Sequence, residues 1–179
     1  MKILALDSSG LVASVAVVEN DTLLAEYTVN YKKTHSQTLL PMLDEISNMT
    51  ELDLSTIDAI AVAGGPGSFT GLRIGSATAK GLGLALEKPL ISIPTTAAIA
   101  YNIWDTNKFV CPIMDARRNQ VYTGVYCYTD HRLDTVWEQD TMSIEALAEG
   151  LNCLDHEVIF LGDGVPDLNK GMYGPGQLL

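Results

Sequence analysis

The chain is poor in the side chains that usually carry metal or thiol chemistry. Its three cysteines, Cys111, Cys127 and Cys153, are odd in number and far apart, with no Cys-x-x-Cys pair. Neither a disulfide framework nor a thiolate zinc site is therefore expected. Such usage suits a reducing compartment, so a cytoplasmic location is the expectation. The three histidines, His35, His131 and His156, lack His-x-x-x-His or His-Glu-x-x-His spacing, and no metal site is expected of them. Base is scarce as well. Lys and Arg number 11 against 22 Asp and Glu, a net charge of -11, and that field repels phosphate backbones and anionic lipid. Binding of nucleic acid by this chain unaided is not expected; the adjacent pair Arg117-Arg118 is the local exception. No apolar run reaches the length of a membrane-spanning helix. The first strand meets Asp7 before the apolar core of a signal peptide can form.

What remains is an ordinary globular composition, 47% hydrophobic and 18% charged over 179 residues, far from the signature of disorder. Residues 2–6, 12–18 and 22–31 read as three sequential antiparallel strands, with Asn20-Asp21 as a hairpin turn. Leu39, Leu40, Met42, Leu43 and Ile46 then recur at helical spacing, predicting a helix over 34–48 whose start Pro41 perturbs. A buried strand over 57–63 runs into Gly64-Gly65-Pro66-Gly67-Ser68-Phe69-Thr70-Gly71, followed by a helix over 72–86, a strand over 90–93 and a helix over 95–104. The second half repeats this order. Residues 110–114, 120–128 and 133–138 read as strands, 144–151 as a helix and 158–161 as a strand ending in Gly162-Asp163-Gly164; Asp115 falls on Asp7 and Val125 on Val17 without a gap. A duplicated element order is firmer ground for a fold than any single propensity. It gives an α/β chain of two lobes, 1–104 and 105–179, the second incomplete at its C-terminal side.

Three features are candidates for function. Asp7 and Asp115 each follow a strand at a turn, where they either initiate the turn or frame a phosphate site between related lobes. The loop from Gly64 to Gly71 precedes a helix N-terminus, a place that favours anions, but it lacks the lysine of a Walker loop and the spacing of a dinucleotide fingerprint. Gly71, Gly75, Ala79 and Gly83 fall at four-residue intervals, a smooth ridge that packs either on its own sheet or against another subunit. No set of nucleophile, base and orienting group accompanies them, and Ser36 beside His35 is no triad.

The segments Leu4-Ala5-Leu6-Asp7-Ser8-Ser9, Gly65-Pro66-Gly67-Ser68-Phe69-Thr70-Gly71-Leu72-Arg73-Ile74-Gly75 and Met114-Asp115-Ala116-Arg117 with Val121-Tyr122 closely resemble the bacterial TsaB family, over about residues 1–165. The resemblance implies the actin/Hsp70-like, ribonuclease H-like fold of two βββαβα lobes. It implies a non-catalytic subunit of the machinery that places threonylcarbamoyl on the adenosine beside the tRNA anticodon. The implied partners are the catalytic paralogue TsaD, the ATPase TsaE and a second copy of the chain, with tRNA reached only through the complex and no membrane partner. Docking is expected through the first-lobe helices, at His35, Leu39, Met42, Gly71, Leu72, Gly75, Ala79 and Gly83. Candidate anion or nucleotide contacts are Asp7, Ser8, Gly67, Arg73, Asp115 and Arg117. No cofactor is expected on this chain alone, ATP and Mg acting at the level of the complex. The catalytic relative's His-x-x-x-His motif is replaced here by Pro94-Thr95-Thr96-Ala97-Ala98-Ile99, so metal-dependent transfer is not expected. The rival expectation is an autonomous phosphotransferase or ATPase of the same superfamily, built around Asp7 or Asp115.

Overall fold

The computed structural model describes residues 1–30 and 37–165. The described chain forms two compact units, Met1–Thr95 and one beginning at Thr96. In the first, β1 (Lys2–Asp7), β2 (Ala13–Glu19) and β3 (Thr22–Val29) form the expected antiparallel meander. Asn20 and Asp21, at φ 47° and 66°, make its second turn, the left-handed pair whose twist suits a two-residue hairpin. Helix α1 (Leu39–Thr50) follows, then a 3-10 turn (Leu54–Thr56), β4 (Ala59–Gly65), α2 (Phe69–Leu86) and β5 (Leu90–Pro94). The sheet order is β3-β2-β1-β4-β5, with β4 parallel to both neighbours. Pro41 is tolerated because it stands in the first turn of α1, where no backbone N–H has an intrahelical partner.

Alternate residues of β1 and β2, Leu4, Leu6, Val15 and Val17, are at most 2% exposed. With Ile60 and Val62 of β4 they meet Leu39, Met42, Leu43 and Ile46 of α1 and Ala79 of α2 in one core. Helix α1 lies over β2 and β3, α2 over β1, β4 and β5, and the two helices touch.

The second unit holds most of α3 (Thr95–Ala100), then β6 (Phe109–Arg117), β7 (Gln120–Thr129), β8 (Arg132–Ser143), α4 (Ile144–Asn152) and β9 (Val158–Leu161). Its sheet order is β8-β7-β6-β9, the order of the first sheet without the outermost strand. Strand β9 runs parallel to β6, as β4 does to β1. The duplicated order read from the sequence is thus present in space as well as along the chain.

Several boundaries differ from the sequence reading. Helix α2 begins at Phe69 rather than residue 72, because Ser68 Oγ accepts the Gly71 N–H at 3.3 Å and caps it. Strand β8 continues to Ser143, well past residue 138. Helix α3 ends at Ala100, short of residue 104. The break between units falls after Thr95 rather than after residue 104. The physical reason is that α3 belongs to the second core: Ala97 and Ala100 pack with Val110 and Tyr126, and Thr96 Oγ1 lies 2.7 Å from Tyr126 Oη and 2.9 Å from Gln139 Oε1.

Candidate functional site

Two places in the first unit hold the residues that the sequence singled out. The first is the junction between the β1–β2 turn and the glycine-rich loop before α2. Asp7 Oδ1 accepts the Ser9 N–H at 2.7 Å, which shapes the turn. Ser8 is 2% exposed and Ser9 4%, and both are spent on the opposing loop. Ser8 Oγ donates to the Gly71 carbonyl at 2.8 Å, and the Ser9 carbonyl accepts the Ser68 N–H at 2.6 Å. A Cβ on Gly67, at φ 154°, would land inside that same Ser9 carbonyl, and one on Gly75 would lie 2.5 Å from Ser8 Oγ. The turn and the loop therefore interlock, and the small residues of the block are explained by close approach of backbone to backbone.

Of the residues expected to contact an anion, the structure engages Asp7 Oδ1 and Ser8 Oγ in hydrogen bonds within the chain and packs Gly67 against Ser9. Arg73 is not turned toward the loop either; its guanidinium lies 3.8 Å over the exposed Phe69 ring. Asp115 repeats the local geometry of Asp7, its Oδ1 accepting the Arg117 N–H at 2.6 Å. The surroundings differ, since Asp115 and Arg117 are exposed.

The second place is the pair α1 and α2. The glycine ridge faces inward: Gly71, Gly75, Ala79 and Gly83 are all buried. A Cβ on Gly83 would lie 2.8 Å from Leu90 Cδ2. Leu39 and Met42 are 1% and 4% exposed in the core beneath α1, Leu72 is half-buried, and His35 lies outside the described residues. Of the two readings left open for the ridge, packing on its own sheet is the one realised. Of the docking residues named from sequence, Leu39, Met42, Gly71, Gly75, Ala79 and Gly83 are buried within the unit, where a smooth stripe lets α2 cross β1 and β4, and Leu72 is half-buried.

The outer side was not singled out, although helical spacing from the ridge points to it. Phe69, Arg73, Ala77 and Leu84 are exposed along α2, Phe69 at 68% and Leu84 at 84%. Leu40 and Met49 of α1 are 52% and 75% exposed, beside Asp44 and Glu45. Helix α2 carries Arg73 and Lys80 and no acid, whereas α1 carries Asp44 and Glu45 and no base. The two helices thus expose apolar side chains beside charges of opposite sign, acidic on α1 and basic on α2.

Titration adds one fact of use. Burial raises the Cys111 thiol from its usual 9.0 to about 11, partly opposed by its hydrogen bond with Thr123, so it is a neutral core side chain rather than a nucleophile. Among the described residues no group of three or more His, Cys, Asp or Glu is placed to hold a metal ion. No helix among them is long and apolar enough to cross a membrane.

Comparison with known proteins places this geometry. The family model of TsaD, the tRNA N6-adenosine threonylcarbamoyltransferase, matches residues 22–166. A solved YeaZ from Pseudomonas aeruginosa is similar in structure, with TM-score 0.73 and 31% identity over 80% of this chain and 68% of that one. A more distant likeness, TM-score 0.50 at 11% identity, is to the ethanolamine utilization protein EutJ from Carboxydothermus hydrogenoformans, and shows the fold alone. The fold is the actin/Hsp70-like one. The tRNA threonylcarbamoyladenosine biosynthesis protein TsaB of Bacillus subtilis is 36% identical over 90% of this chain and 71% of its own length. That of Escherichia coli is 34% identical over 95% and 76%. The chain belongs to the TsaB family.

Proposed function

We propose that this chain serves tRNA threonylcarbamoyladenosine biosynthesis as a non-catalytic scaffold that pairs with the catalytic TsaD subunit. TsaE is the ATPase partner of the assembly, tRNA is reached through the complex, and a second copy of the chain competes for the same face. The names of the relatives support the pathway. The observation that carries the scaffold role is the exposure of large apolar side chains on these helices, Leu40 and Met49 on α1 and Phe69 and Leu84 on α2, with acids on α1 and bases on α2. Apolar surface of this kind is stabilised by being covered, and the charges give orientation to whatever covers it. The interlocked β1–β2 turn supports the same reading, since Ser8 Oγ and the Ser9 carbonyl are engaged with the chain's own glycine-rich loop.

The test is a substitution on the outer face. Leu84→Glu, or Phe69→Glu, is expected to weaken association with TsaD by at least about tenfold, an effect of 1.4 kcal/mol or more, in isothermal titration. Circular dichroism should be unchanged, because both side chains are exposed. Undiminished affinity in both variants would remove this face from the account. An ATPase activity of the chain alone that Asp7→Asn abolishes would instead favour the phosphotransferase expectation.

A further inference from the structure

The second sheet carries a cationic turn that docking through α1 and α2 leaves unused. Three hairpin turns in the described chain place non-glycine residues at positive φ: Asn20 with Asp21, Asp130 with His131, and Arg117, Arg118 and Asn119 at 65°, 55° and 59°. Asn, Asp and His are the residues that tolerate this region, whereas a long side chain such as Arg gains nothing there. Two consecutive arginines in left-handed backbone are a local expense, and strain of that kind collects at functional positions. Nothing within the described residues offsets it. Both arginines are exposed, and neither guanidinium has an ion-pair or hydrogen-bond partner among those residues. The neighbouring carboxylates are engaged with backbone: Asp115 Oδ1 holds the Arg117 N–H at 2.6 Å, and Asp163 Oδ1 holds the Asp115 N–H at 3.2 Å. The duplication sharpens the contrast. With Asp115 laid on Asp7, Ser9 and Gly10 stand where Arg117 and Arg118 do, and that turn is closed against Gly67. One copy of the turn is locked; the other is open and charged.

We propose that the turn between β6 and β7 contacts the phosphodiester backbone of an RNA strand through Arg117 and Arg118. The guanidinium fork matches phosphate oxygens in bidentate fashion. Two adjacent cations on an exposed hairpin tip fit a row of spaced charges, whereas a small anion is usually enclosed. On a chain of net charge -11 the pair is a local contact that adds to binding supplied elsewhere, so the inference rests on the scaffold reading for how the RNA is brought to it.

The experiment uses the full chain assembled with TsaD and TsaE of the same organism and a labelled unmodified tRNA, titrated by fluorescence anisotropy over a salt series. The double variant Arg117→Ala, Arg118→Ala is expected to bind about tenfold more weakly, with the slope of log K against log salt smaller by about 1.5, as loss of two phosphate contacts requires. The double variant Arg117→Lys, Arg118→Lys should keep most of that slope. Light scattering of each complex must show the same mass. Equal affinity and slope in an assembled variant complex would overturn the proposal. So would loss of pyrophosphate binding with tRNA binding unchanged, which would give the turn to a small phosphate. Failure of the variant alone to assemble would give the pair to docking and overturn it too. Failure of the wild-type complex to assemble would count against the scaffold reading instead. The same tRNA titrated onto the chain alone at low salt, wild type against double variant, would then decide the turn.

Discussion

Glycines that look alike in sequence do different work in this molecule. Gly67 has the Ser9 carbonyl where its Cβ would be, while Gly81 on α2 has nothing within 4 Å. Gly67→Ala is expected to destabilise the fold by about 2 kcal/mol or more through strain and collision. Gly81→Ala should stabilise it by about 0.5–1 kcal/mol, the helix-propensity difference. Urea midpoints at constant m-value measure both. Cysteines divide the same way. Cys153 is exposed and Cys111 buried, so a disulfide probe at pH 8 should react quickly with Cys153 and with Cys111 only on unfolding. Because the folded Cys111 value, about 11, lies above its usual 9.0, its share of stability is complete below pH about 9 and is lost as pH rises toward 11. The sequence showed that Gly67 and Gly75 were special. It could not show against what, because Ser8 and Ser9 approach them from more than fifty residues away.

Helix α2 shows most clearly where sequence reading stops. Its four-residue ridge was legible as a packing stripe, but a stripe of small residues is equally suited to a sheet below or a subunit above. Only the placement of β1 and β4 decides between them. A bulky residue at Gly75 or Ala79 is therefore expected to damage the fold itself, lowering the unfolding midpoint before it affects any partner. At the other end of the helix, Ser68→Ala removes the hydroxyl that accepts the Gly71 N–H and should cost about 1 kcal/mol. Helix α3 was assigned by sequence to the first lobe since it follows β5 directly. Its attachment through Thr96, Tyr126 and Gln139 depends on strands that come 25 or more residues later. Tyr126→Phe should loosen it by about 1 kcal/mol, seen as faster amide exchange over α3 with the first unit unchanged.

For the whole molecule, the duplicated order was the strongest feature in the sequence, and both sheets realise it: β3-β2-β1-β4 in one and β8-β7-β6-β9 in the other. Hydrophobic alternation made the strands legible, and equal spacing from Asp7 to Val17 and from Asp115 to Val125 made the repeat legible. The exposed side of α1 and α2 was legible only once the ridge was known to face inward, since helical spacing then places Phe69, Arg73 and Leu84 away from the sheet. The central claim is that this face makes the chain a partner of TsaD. Light scattering of the chain alone, and mixed with TsaD of the same organism over a concentration series, tests it most directly. The account predicts a new species at the summed mass that is lost with Leu84→Glu and kept with Gly81→Ala. Two species that stay separate at every concentration would contradict it.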